Sequence, residues 1–338
     1  MSPVLGNITR LMSRYLYRLV EKRSSWDSAF VIDKDNECWS EMKFWLSNVN
    51  SLNLKYISNR IQKSKCVVYS DASSHSCGAY VVEVDNAVFH QTWSYEESLK
   101  SSTWRELYAI QLAMSEFRDI LRGQIITWYT DNQNCVRIIE SGSSVLELQV
   151  LALKVFQLGI SLNLSLKVEW IPRSDNEKAD YISKIIDYDD WGISKDFFEF
   201  LNDMWGPHTV DRFANHFNSK TLRYNSRFWY ADSEAVDAFS QDWSNDNNWL
   251  VPPVYLAPRV IKYMIDSRSS GTLVLPKWIS APFWPLLFGD HLETQTCISD
   301  ILVFTESDRI FVPGSHKSLF NSVDFKGHVL VVRFDYQQ

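Results

Sequence analysis

Four acids carry the chemistry open to this chain. Asp71 closes the apolar run CVVYSDAS (66–73), Glu106 lies in STWRELYAIQLA, Asp131 follows IITWYT, and Asp180 lies in IPRSDNEKADYIS. An acid at the end of a buried strand is a poor choice for packing, so Asp71 calls for partners. Gathered carboxylates hold hard divalent cations at neutral pH, and two cations about 4 Å apart stabilise both the attacking and the leaving oxygen of a displacement at phosphorus. The chemistry such a cluster could do is metal-assisted hydrolysis.

The elements that must position the acids follow from periodicity. CVVYS, GAYVVEV and AVFHQTW read as strands, with Asp85-Asn86 as the tight turn between the last two and Gly78 allowing a close backbone approach beside the first. Leu107, Ile110, Met114 and Phe117 recur by threes and fours, which predicts a helix from about Ser102 to Ile120. A strand follows at Ile125–Thr130, then a short helix after Asp131, a longer one through VLELQVLALKVFQLGI, a strand near Leu166–Trp170 and a last helix from Asp175 to about Ile186. Each acid therefore falls at or just after a change of secondary structure, where separate elements can converge.

The order strand-end Asp, helix Glu, strand-end Asp and a final Asn-x-x-x-Asp resembles the catalytic set of type 1 ribonuclease H, over roughly Cys66–Lys184. The resemblance implies an α/β fold with a mixed five-stranded sheet and flanking helices. It also implies two Mg²⁺ ions, with Mn²⁺ as a substitute, and an RNA–DNA hybrid as substrate. Asp71 would bridge both ions, Glu106 and Asp131 would complete one site and Asp180 the other, with Ser73, Asn132 and Asn176 as substrate-binding candidates. The family's flexible-loop histidine is missing; Trp170, Ile171, Pro172 and Arg173 stand in that region, as in the retroelement branch of the family.

Each acid also has a plain structural reading. Thr103-x-x-Glu106 fits a capping box, Asp131 could cap the helix that follows it, Asp71 could close a turn, and Asp180 could sit on a solvated helix face. Four acids in this order, on these element types and within about 120 residues, are hard to obtain from independent caps.

The 338 residues suffice for two or three domains, and 45% apolar with 22% charged residues is ordinary for a globular protein. A net charge of −7 argues against coating nucleic acid by bulk electrostatics. Residues 61–190 are the most acidic, with 12 Lys and Arg against 18 Asp and Glu, which suits a site that binds metal before phosphate. Cys38, Cys66, Cys77, Cys135 and Cys297 form no C-x-x-C pair, and seven scattered histidines show no i, i+4 spacing. Neither a zinc site nor a disulfide framework is expected, and an intracellular location follows, with cytoplasm and nucleus undistinguished. No apolar run approaches the ~18 residues of a membrane span, and no serine hydrolase triad is supported.

Residues 1–64 read as helical. Ile8, Leu11, Tyr15, Leu16 and Leu19 form a stripe among Arg10, Arg14, Arg18, Lys22 and Arg23, either a face packed on the next domain or a basic helix touching a nucleic-acid backbone. ECWSEMKFWLSNVNSLN resembles the segment joining polymerase to ribonuclease H in retroelement reverse transcriptases. No polymerase Tyr-x-Asp-Asp occurs, which allows a separate reverse transcriptase polymerase chain as partner.

The expected divisions are 1–64, a remnant of that connection; 65–188, the ribonuclease H-like domain; 189–204, a linker or first helix; and 205–338, a second Rossmann-like α/β domain. In the last, strands ending at Asp211, at Pro252-Pro253 and at Leu275 alternate with helices. These pieces resemble the Dam-like adenine methyltransferase domain of DIRS-like retrotransposons. That family holds a flipped adenine with an Asn or Asp, two prolines and an aromatic, where this chain reads Val251, Pro252, Pro253 and Val254. A valine neither accepts a hydrogen bond nor offers a π face, so the resemblance implies the shape without methyl transfer. Two functions are therefore carried forward: a hybrid-cutting endonuclease, and a non-catalytic nucleic-acid-binding scaffold.

Overall fold

The computed structural model describes residues 8–29, 31–52, 64–186, 191–289, 296–305, 307–313 and 327–336. Parts of the expected N-terminal remnant (1–7, 30 and 53–63) and the first two residues of the expected linker (189 and 190) lie outside them. The chain divides into two compact units, Met1–Ile185 and Ile186–Gln338.

The first unit is built on strands β1 (Cys66–Ala72), β2 (Ser76–Val81), β3 (Val88–Thr92), β4 (Ile125–Thr130) and β5 (Ser165–Trp170). They lie in the order β3-β2-β1-β4-β5, with β1–β2 and β2–β3 antiparallel and β1–β4 and β4–β5 parallel. This is the mixed five-stranded sheet that the ribonuclease H resemblance implies. Its helices are α1 (Arg14–Glu21), α2 (Cys38–Leu52), α3 (Ser102–Glu116), α4 (Gln133–Ser141), α5 (Leu146–Ser161) and α6 (Glu177–Ile182), besides shorter turns. Leu107, Ile110, Met114 and Phe117 are fully buried, as their spacing requires. The last helix stops at Ile182, short of the expected Ile186.

The N-terminal stripe packs: Leu11, Met12 and Tyr15 are buried. Glu41 of α2, itself buried, caps α1 by accepting the amides of Tyr15 (3.0 Å) and Leu16 (2.9 Å). Arg14 donates to the Ser141 carbonyl at the end of α4 (2.8 Å), and Gln149 of α5 donates to the Leu11 carbonyl (2.8 Å). The described N-terminal helices are thus part of the first unit's packing.

In the second unit, β6 (Trp191–Ile193) and α7 (Lys195–Trp205) occupy most of the expected linker, and Phe197, Phe198 and Leu201 of α7 are buried in a hydrophobic core. Next come β7 (Val210–Asp211), β8 (Arg223–Ser226), β9 (Ala235–Val236), β10 (Asn247–Leu250), α8 (Ala257–Asp266), β11 (Ser270–Pro276), β12 (Ile298–Phe304), β13 (Phe311–Pro313) and β14 (Val329–Phe334). Seven of these strands lie in the order β12-β14-β11-β10-β7-β8-β9, with β13 paired to β6 apart. All neighbours from β11 to β9 are parallel, and β14 runs antiparallel to β11 and β12. β11 is buried along nearly its whole length, the signature of a central strand covered on both faces. This is the second α/β domain, doubly wound, with the strand order reversing between β7 and β10. Arg212, fully buried, bonds Asn248 (2.7 Å), Asn225 (2.8 Å) and Asp246 (2.8 Å), tying β7 to its neighbours.

All five cysteines are free and buried. Among the described residues no single helix is long and apolar enough to cross a membrane; α4 and α5 pass that test only as a bent pair.

Candidate metal centre

Three of the four acids meet. Asp71 comes from β1, Glu106 from α3 and Asp131 from the residue after β4, and one oxygen of each lies within 4.8 Å of the others. The parallel pairing of β1 with β4 brings the ends of both strands to the same edge of the sheet. Glu106 reaches it because positions 106, 109, 110 and 113 share the helix face that packs on the sheet, so the acid sits in the apolar stripe itself.

The cap readings of Glu106 and Asp131 are not what the structure contains. The N-cap of α3 is Ser101, whose hydroxyl accepts from Trp104, so Thr103 and Glu106 form no capping box. The Ala72 amide on β1 instead acts on Glu106, favouring its anion against burial. The N-cap of α4 is Asn132, whose Oδ1 accepts the amides of Asn134 (3.0 Å) and Cys135 (3.3 Å), leaving the Asp131 carboxylate free of that duty.

Crowding three anions in a partly dry site raises their proton affinity. Burial pushes the Asp71 carboxyl up to about 6, against the Ser183 hydroxyl that favours its anion, and Asp131 and Asp180 add to the rise. Burial, then Asp71 and Asp131, holds Glu106 well above the carboxylate range. Asp131 is raised by burial and by Asp180, with Arg173 opposing. Glu106 Oε2 is buried without a hydrogen-bond partner. An orphaned carboxylate oxygen facing two more carboxylates is a donor set for a hard cation, so the three residues fit a divalent metal such as Mg²⁺ or Mn²⁺.

Asp180 is held otherwise. Lying on α6, it accepts from Lys184 at 2.5 Å and pairs with Arg173. Burial pulls its carboxyl upward, but the bonds from Lys184 and Arg173 outweigh that and keep it below the usual range. It is close enough to raise both Asp71 and Asp131, yet its oxygens are not among those that converge.

The three substrate-binding candidates have structural duties. Asn176 is buried and donates to the Ser70 carbonyl at 3.0 Å, anchoring the start of α6 to β1, while its Oδ1 is buried without a hydrogen-bond partner. Ser73 accepts the amides of His75 and Ser76 and donates to the Ser183 carbonyl, closing the β1–β2 turn. Asn132 spends its oxygen as a cap. Sequence reasoning missed Ser183, whose hydroxyl donates to Asp71 Oδ2 at 2.5 Å. Its only sequence signal is its place three residues after Asp180, one helical turn on.

In the second unit, β10 ends directly before Val251, Pro252, Pro253 and Val254, beside the end of β7 at the point where the strand order reverses. Asp211 is buried there, with its oxygens accepting the amides of Phe213 (3.4 Å) and Lys220 (3.1 Å), and burial pushes its carboxyl up to about 7.

Residues 62–155 match the family model of the RNase H-like domain found in reverse transcriptase; Asp71, Glu106 and Asp131 lie inside this segment, Asn176 and Asp180 beyond it. Similar solved structures include RNase H1 from the halophilic archaeon Halobacterium salinarum NRC-1, at 18% identity over 35% of this chain and 92% of that one, with TM-score 0.31. LC11-RNase H1 in complex with an RNA/DNA hybrid is 16% identical over 35% of this chain and 93% of that one, with TM-score 0.30. The foamy viral protease-reverse transcriptase with an RNA/DNA hybrid is 9% identical over 52% of this chain and 27% of that one, with TM-score 0.29. No curated protein matches the chain.

Proposed function

We propose that the first unit is a Mg²⁺-dependent ribonuclease H that hydrolyses the RNA strand of an RNA–DNA hybrid. The observation carrying this reading is the meeting of Asp71, Glu106 and Asp131 from three separate elements, with a buried Glu106 oxygen left unpartnered. Bound Mg²⁺ would supply an activated water and a countercharge for the leaving oxygen. The chain's own share is to hold the carboxylates in place, with Asp180 at the side of the cluster and Arg173 and Lys184 offering positive charge to a phosphate. Selection of hybrid would rest on its shape and 2′-hydroxyls. The test is a gel assay of strand-labelled hybrid with Mg²⁺ or Mn²⁺. We expect the RNA strand to be cut and Asp71→Asn to abolish cutting; an uncut hybrid, or cutting indifferent to that substitution, overturns the reading.

A second reading, a scaffold that holds hybrid without cutting it, is favoured by one observation: Asp180 is engaged by two cationic side chains instead of joining the other three acids. Hybrid retention without cleavage in the same assay would support it. A reverse transcriptase polymerase supplied by another chain suits either reading.

For the second unit we propose a methyltransferase-like fold, of DIRS-like retrotransposon origin, that transfers no methyl group. Doubly wound sheets bind ligands where the strand order reverses, and there this chain offers Val251 and Val254 and an Asp211 already occupied by backbone amides. Tritium transfer from S-adenosylmethionine to adenine-containing DNA should be absent, with Val251→Asn as a partial restoration control. Robust transfer by the unaltered protein would sink this assignment.

A further inference from the structure

The last turn of α6 approaches β2 more closely than a side chain on that strand would permit. A Cβ at Gly78 would lie 2.5 Å from Ile182 Cγ2 and 2.7 Å from the Ser183 amide nitrogen. In the space this opens, Ser183 is fully buried and tied at every polar atom. Its amide donates to the Ala179 carbonyl (2.8 Å), and its carbonyl accepts the hydroxyls of Ser73 (2.5 Å) and Ser76 (2.6 Å). Its own hydroxyl lies 2.5 Å from Asp71 Oδ2 and 2.9 Å from the Asp180 carbonyl. A hydroxyl has one proton, and the shorter contact with an anionic oxygen takes it.

We infer that Ser183 is a positioning residue for the metal centre, its hydroxyl fixing the Asp71 carboxylate in the orientation that receives a divalent cation. The inference rests on the metal-centre reading above. Among the described residues Asp71 forms no ion pair, Arg173 acting on it only at longer range, and Glu106 and Asp131 repel it, so an unrestrained carboxylate would turn away from them. The hydroxyl of a residue anchored through its own backbone prevents that turn. Ser183 also stands in the same helical turn as Asp180, so one rigid element sets the spacing between the acid of the strand and the acid of the helix. Hydrogen-bond partners behind a metal ligand are typically worth 10–100-fold in metal affinity.

The experiment titrates Mn²⁺ into the full chain and follows the free-ion electron paramagnetic resonance signal, beside a thermal melt of each variant. Asp71→Asn defines the metal sites of the cluster by their loss. Ser183→Ala and Ser183→Cys, the second of which fills the same space with a weak donor, should each weaken Mn²⁺ binding about tenfold or more. Ser76→Ala removes a bond to the Ser183 carbonyl without touching Asp71; it should lower the melting temperature and leave Mn²⁺ affinity within about twofold, well short of the roughly tenfold that a direct partner of a metal ligand is worth. Wild-type affinity in a folded Ser183→Ala or Ser183→Cys protein overturns the inference while leaving the centre standing. Ser76→Ala weakening Mn²⁺ as much as Ser183→Ala also overturns it, because helix docking alone would then set affinity. Absence of any Asp71-dependent Mn²⁺ binding by the unaltered chain overturns both the inference and the centre.

Discussion

Glu106 distinguishes a functional acid from a structural one at the scale of a single residue. A carboxylate in an apolar helix stripe loses its hydration, and here it also faces two like charges and keeps one oxygen unpartnered. Such a group destabilises the metal-free fold. Glu106→Gln fixes the side chain in an uncharged form and supplies an amide that can donate to Asp71 or Asp131. It should therefore raise metal-free stability by about 1–3 kcal/mol while abolishing the stabilisation that Mg²⁺ confers. Urea melts with and without Mg²⁺ read both quantities, and a metal-free loss of stability would refute the account. Arg173 is the opposite case, a mostly exposed partner at 66% side-chain accessibility. Exposed ion pairs contribute about 0–1 kcal/mol, so Arg173→Ala should leave the melt nearly unchanged. It should nevertheless lower the Mg²⁺ concentration needed for half-maximal cleavage, because a cation competing for Asp180 is gone; a higher requirement would contradict that role.

Among elements, periodicity made most of the first unit legible and tertiary bonding made the rest illegible. The strand at Ile125–Thr130 follows from a short apolar run and the buried face of α3 from residues recurring by threes and fours. The caps did not, because Ser101 and Thr103, like Asp131 and Asn132, are chemically eligible for the same position and only the packed direction of each helix chooses between them. That choice decides whether Glu106 serves a helix end or the centre. The end of α6 was equally hidden: it is set by Ser183 bonding to β1 and to the turn that follows it, contacts more than 100 residues apart in sequence. Gly78 was readable as a close-approach glycine, although not what approaches it. Gly78→Ala drives a methyl into Ile182 and the Ser183 backbone, and overpacking of this kind costs about 1–3 kcal/mol. Because α6 carries Asp180 and ends against Ser183, the variant should also lose most Mg²⁺ dependence. A melt lowered without any change in metal response would separate α6 docking from the centre.

For the whole molecule, the acid cluster leaves its mark on pH-dependent stability. Asp71 titrates at about 6 in the fold against an ordinary value near 3.8, and Glu106 is displaced in the same direction. Between those values the native state binds protons that the unfolded chain has already released, so metal-free stability must fall as pH rises through that window. Below it both states are protonated and the contribution levels off. Ion-paired acids of the second unit run the other way. Asp246 and Glu234 are held below their usual range by Arg223, with burial opposing, so their contribution is lost as pH falls. A divalent cation replaces the protons on the cluster. Its stabilisation grows as RT ln(1 + [L]/Kd), about 2.7 kcal/mol at a hundredfold excess over Kd, and only once the carboxylates are free to ligate. Melting curves with and without Mg²⁺ should therefore coincide near pH 4 and diverge steadily from about pH 5 to 8. Asp71→Asn should close that gap, by removing both the raised acid and the ligand. Where melting resolves into two transitions, only the one that Asp71→Asn alters should respond to Mg²⁺. A metal effect equally large at pH 4, or spread over both transitions, would place the ion somewhere other than at Asp71, Glu106 and Asp131.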